Sequence, residues 1–107
     1  MRDGGLGRVV LFEPAALIGS TESTERPWIP AVDARVAEHA PAVMMMHAGG
    51  VARPDDAYDI MRAGADGTGS TSGVLGAASR ATAAAEFIEA TRRGFDAHLA
   101  VAKSPLP

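Results

Sequence analysis

Residues 8–19, RVVLFEPAALIG, decide how this chain is read. Val9-Val10-Leu11-Phe12 is an apolar run without alternation, which predicts a strand buried on both faces, as in a parallel sheet. Glu13 follows at its end, and Pro14 stops it, because proline fixes φ and has no amide proton for a ladder. Ala15-Ala16-Leu17-Ile18 then leads to Gly19 and a polar run through Glu25. An acid at a strand end, followed by an apolar loop able to close, suits proton abstraction in a water-poor site.

Outward from this stretch, composition bounds the class. The chain has 107 residues, 47% hydrophobic and 21% charged, with a formal net charge of -3, which is a globular balance. Basic residues are scattered, so there is no electrostatic footprint for nucleic acid. Cysteine is absent, which excludes disulfides and thiolate metal sites. No apolar run approaches the roughly 20 residues of a membrane span, and no signal peptide is recognised, so a cytoplasmic location without membrane association is expected. Aromatic residues make up 5% beside 12 glycines, so the core must be built from small side chains. Such a core buries little area per residue.

Residues 1–7 read as a loose terminus and residues 20–30 as a loop anchored by Trp28, the only tryptophan. A helix is predicted over residues 31–39 with Pro30 near its first turn, then a second strand at Val43-Met44-Met45-Met46. The methionine triplet is core filler rather than a metal site. His47-Ala48-Gly49-Gly50-Val51 forms the next turn. Pro54 opens a helix with Asp55 and Asp56 in its first turn, Ala57, Ile60 and Met61 as the buried stripe, and Gly64 as the stop. Gly67-Thr68-Gly69 is a third, weak strand, and Ser70-Thr71-Ser72-Gly73 a polar turn. The last helix is predicted over residues 79–93, with a tail over 94–107 that starts helical and then frays. The order βαβαβα across residues 8–93 describes one parallel α/β domain whose ligand lies at the strands' carboxyl ends.

Three features meet on that face: Glu13, the Gly49-Gly50 turn, and residues 70–73. Glycines let backbone amides approach a ligand, and hydroxyls beside exposed amides make an anion nest. Taken together, EPAALIG at residues 13–19, HAGGV at 47–51 and GADGTGSTSGV at 64–74 resemble the triosephosphate isomerase family, in a form closest to the archaeal-type enzymes. The resemblance implies the C-terminal part of a TIM (β/α)8 barrel, about three βα units and incomplete as it stands, since a whole barrel takes about 250 residues. It implies an aldose–ketose isomerase of glyceraldehyde 3-phosphate and dihydroxyacetone phosphate, acting in glycolysis and gluconeogenesis without a cofactor or metal.

In that reading Glu13 is the general base working through an enediolate, residues 14–20 are the lid, and Gly19, Gly50, Thr71 and Ser72 hold the substrate phosphate. The family's Asn-Lys pair and electrophilic histidine have no counterpart here, so the chain alone is expected to be inactive. Its partners are then a small phosphorylated sugar and either a second copy or a missing N-terminal barrel portion. Two alternatives stand beside it: a phosphate-binding segment of another sugar-phosphate barrel, and a non-catalytic barrel fragment that self-associates. Glu13 also reads as a strand-end acid paired with Arg8 or Arg53, and His47 as a structural histidine or a substitute electrophile.

Overall fold

The computed structural model describes residues 8–22 and 24–103. Strand β1 (Arg8–Phe12) and strand β2 (Val43–His47) pair in parallel, with Val10 opposite Met45 and Phe12 opposite His47. Helix α1 (Ile29–His39) makes the crossover between them, as a parallel pair requires. Helices α2 (Pro54–Arg62), the single turn α3 (Ser72–Leu75) and the long α4 (Arg80–Lys103) follow.

The expected three βα units of a barrel are corrected by this topology. Among the described residues the sheet has two strands, and the segment expected as the third contributes one parallel bridge, Met46 to Gly67. The amides of His47 and Asp66 still bond across that edge, to Gly67 O and Met45 O. Gly67-Thr68-Gly69 has too little side chain to pack on a pleated surface, and glycine loses the most backbone freedom in a strand. The pairing therefore stops after one residue.

Burial of β1 is also corrected. Val9 and Leu11 are each 54% exposed and Met44 47%, whereas Met45 and His47 on the opposite face are buried. Alternate residues of a strand point to opposite faces, so β2 is covered on its Met45 and His47 face, whereas β1 stays exposed on both faces, with Val10 opposite Met45 still 44% exposed. The strand reads as doubly buried because its composition is apolar throughout, but among the described residues its extensive packing is against β2 alone.

Local signals set α2. Arg53 is extended at the N-cap, Pro54 takes the first turn, and buried Asp56 accepts hydrogen bonds from the Ala52 and Arg53 amides, each at 3.0 Å. These are the otherwise orphaned donors of a helix start, here held by a charged acceptor. Replacing Asp56 with alanine is expected to lower stability by about 2 kcal/mol, with asparagine losing less because it retains one acceptor oxygen. Urea denaturation of the two variants measures the difference.

Gly64 ends α2 at φ +112, and His98 from α4 donates from Nδ1 to the Arg62 carbonyl at 3.0 Å, satisfying a C-terminal acceptor. The core lies between α2 and α4: Ala57, Ile60, Met61, Ala65, Phe87 and Ala90 are buried there, joined by Ile29 and Val51. Trp28 packs against this cluster, so it anchors the preceding loop as expected. Helix α4 runs through Gly94 and on to Lys103, so much of the expected tail is helical. That glycine sits where the two helices cross, buried against Tyr58 and Met61.

Candidate functional site

The carboxyl ends of β1 and β2 open into a cleft of about 570 Å³. Leu11 lines it from β1 and Glu13 from just after it, Ile18, Gly19 and Ser20 from the following loop, and residues 48–51 and 69–72 from the two later turns. All five expected site residues, Glu13, Gly19, Gly50, Thr71 and Ser72, are among its lining. The topology explains this: both strands run the same way, so everything that leaves their ends gathers on one side.

Residues 14–20 are a compact loop containing a 3-10 turn over Ala15–Leu17. The Leu17 amide bonds to Pro14 O at 2.9 Å, and the Ser20 amide to Leu17 O at 2.9 Å. This loop sits directly on the Gly49-Gly50 turn. A Cβ on Gly49 would lie 3.5 Å from the Glu13 Cβ, and one on Gly50 would lie 2.8 Å from the Leu17 carbonyl oxygen. Gly19, Gly49 and Gly50 have positive φ, at +81, +91 and +70, so three of the four left-handed glycines among the described residues line this cleft. Left-handed backbone turns amides toward the concave side, where successive N–H groups make an anion-binding nest. The amides of Gly19, Gly50, Thr71 and Ser72 have no acceptor among the described residues.

The other walls are fixed from behind. Ser70 Oγ donates to the Val51 carbonyl, tying the two later turns together. His47, 1% exposed, donates from Nε2 to Asp33 Oδ1 on α1 at 2.7 Å, and its ring meets Phe12 at 5.4 Å. Its Nδ1 is buried without a partner among the described residues, and the ring does not line the cleft. The geometry thus makes His47 a brace between α1 and the end of β2. Glu13 is exposed and faces the cleft.

Sequence reasoning passed over Arg26 and Asp33. Arg26 Nη2 donates to the Gly49 carbonyl at 2.9 Å, 23 residues away in the chain. Burial holds its guanidinium below the ordinary arginine value, against the raising influence of Asp56 and Asp59. Nothing local to residues 20–30 signals that reach. Among the described residues, no three His, Asp or Glu side chains are grouped to hold a metal ion, and no helix is long and apolar enough to cross a membrane.

No family model matches the sequence, and no curated protein matches it. Among solved structures, the chain is similar to one in the crystal structure of the Amycolatopsis orientalis BexX/CysO complex, with 20% identity and a TM-score of 0.64. The match covers 92% of this chain and 36% of that one, so the chain spans about a third of its neighbour's length. At this identity the likeness is one of fold. It leads to a protein of that complex and not to triosephosphate isomerase, which corrects the family assignment. The barrel fragment, the aldose–ketose isomerisation and the glycolytic and gluconeogenic role fall with it. Glycine turns after apolar parallel strands recur wherever a strand end approaches a ligand, and such turns are what the three motifs share.

Proposed function

We propose that the cleft at the ends of β1 and β2 binds a small ligand carrying a phosphate or similar oxyanion. Gly19, Gly50, Thr71 and Ser72 supply the contacts, mainly through backbone amides, and Glu13 exchanges a proton with the uncharged part of the ligand. The observation that carries this reading is the clustering of three left-handed glycines around one cleft, where the Gly19, Gly50, Thr71 and Ser72 amides have no acceptor among the described residues. Gly19, Thr71 and Ser72 are exposed and Gly50 is half-buried, so these amides are open to a ligand, and an oxyanion accepts from several at once. Glu13 at the rim restricts the ligand: a second anionic group beside it would be repelled.

Titration of the isotope-labelled chain with inorganic phosphate tests the site. The amide resonances of Gly19, Gly50, Thr71 and Ser72 are expected to move together and saturably, while those of α4 stay in place. Glu13→Gln is expected to bind phosphate at least as tightly, because it removes a nearby negative charge. Absence of a saturable response at these four amides would sink the reading.

A second reading rests on the bare sheet face. Val9, Leu11 and Met44 form an apolar surface of the sort that marks protein contacts, and the solved neighbour is itself a complex of BexX with CysO. In this reading a protein partner, or another copy of the chain, covers the face. Sedimentation at rising concentration would then show association that is lost in Leu11→Lys.

A further inference from the structure

We infer that Arg26 is a positioning residue for the anion site, setting the direction in which the Gly50 amide points. The inference rests on the proposed binding role of the cleft. The Gly49 carbonyl and the Gly50 N–H belong to the same peptide unit, and no peptide bond among the described residues is cis. In a planar trans peptide these two groups point in opposite directions, so whatever holds the carbonyl also aims the amide.

Arg26 holds that carbonyl from outside the cleft: its Nη2 is 2.9 Å from Gly49 O, and Arg26 is not among the lining residues. The Gly50 amide is therefore turned the other way, toward the side where Gly50 lines the cleft. A glycine pair has little intrinsic preference against the flipped peptide, since both residues reach either sign of φ. An external hydrogen bond is what selects one orientation, and a charged donor is about twice as strong as a neutral one.

The Asp56 and Asp59 carboxylates on α2 attract the guanidinium, and Trp28, two residues on, packs against the core and fixes the nearby backbone. Arg26 Nη1 is buried without a partner among the described residues, so the hydrogen bond to Gly49 O is the one the fork is shown to make. Asp56 also caps α2, so the start of that helix and the aim of the Gly50 amide share one carboxylate.

The experiment compares the wild-type chain with Arg26→Met and Arg26→Gln, using inorganic phosphate as the probe. Readouts are the phosphate affinity, the Gly49 carbonyl carbon resonance and the Gly50 amide resonance. Methionine retains apolar bulk but has no donor, so affinity is expected to fall at least tenfold, with the Gly49 and Gly50 resonances displaced before phosphate is added. Glutamine retains a neutral donor and is expected to recover affinity to within about threefold of wild type, with both resonances near their original positions. A purely structural role would lower the melting temperature of both variants without separating them in this way. Wild-type binding with an unaltered affinity in Arg26→Met overturns the inference and leaves the site standing. If Arg26→Met does not fold, Arg26→Gln decides: a tenfold loss with an unmoved Gly50 resonance means charge rather than aim, and overturns it. No phosphate response in the wild type removes the site itself.

Discussion

Gly94→Leu is expected to lower stability by about 3 kcal/mol, the upper part of the range for overpacking a filled interior. For a domain of this size that moves the melting temperature down by roughly 10–20 °C. The reason is the crossing of α2 and α4. A Cβ at Gly94 would overlap the Tyr58 carbonyl oxygen, lie 2.8 Å from the Met61 Cβ and lie 3.1 Å from the Tyr58 carbonyl carbon. Two of these three atoms are backbone, so no rotamer change relieves the overlap. Any side chain in place of a helical glycine also gains about 0.5–1 kcal/mol of helix propensity. The overlap exceeds that gain, because separating the helices loosens Phe87 and Ala90 against Ala57, Ile60 and Met61. Ala85→Leu on the exposed side of the same helix is the control, expected to change stability by less than about 0.5 kcal/mol. Thermal melts followed by circular dichroism compare the two; a Gly94→Leu chain as stable as the control would mean that the helices do not cross there.

Gly50→Val is expected to reduce phosphate affinity at least tenfold while leaving the α2–α4 core folded. Two penalties coincide at this position. The backbone φ of +70 is a region that a β-branched residue rarely occupies, with strain of about 1–3 kcal/mol. The added Cβ would also lie 2.8 Å from Leu17 O and 3.5 Å from the Leu17 and Ser20 Cβ atoms, so the loop over residues 14–20 must lift. Gly19 separates these effects. Its φ is +81, yet a Cβ there meets nothing within 4 Å, so Gly19→Ala carries strain alone. Phosphate titration of both variants is expected to show a large loss for Gly50→Val and a loss of a few fold for Gly19→Ala. Wild-type affinity in Gly50→Val would remove the Gly50 amide from the site.

The contrast between α2 and β1 shows what a sequence displays and what it hides. Every signal for α2 is local: proline and aspartates at its start, the stripe of Ala57, Ile60 and Met61, and Gly64 at its end. Each acts within a few residues of where it is written, and the structure places the helix accordingly. The covering of β1 is not local. An all-apolar strand states that both faces avoid water, but whatever would cover them lies elsewhere, and among the described residues β1 stays exposed on both faces. Gly94 hides its role for a related reason: it marks close approach of a second helix, which nothing beside it in the chain signals.

The gathering of Glu13, Gly19, Gly50, Thr71 and Ser72 at one cleft was legible because parallel strands deliver their ends to one side. What those ends serve was not, since the same turns suit many ligands and several families. Arg26 and Asp33 were invisible for a simpler reason. Their partners, Gly49 and His47, are 23 and 14 residues away, and a single arginine or aspartate in a polar stretch has no pattern to betray it.

The bare face of the sheet bears on how the cleft would report a ligand. Strand β1 is held chiefly by main-chain bonds to β2, with only Phe12 partly covered, yet it presents Glu13 and leads into Gly19. The α2–α4 pair, by contrast, buries most of the core. One rim of the cleft is thus built on the least anchored element and the other on the most anchored one. A molecule that bridges the two rims must draw on the same free energy that keeps β1 docked. Occupancy and local order are linked quantities here, so ligand would slow amide exchange in β1 far more than in α4.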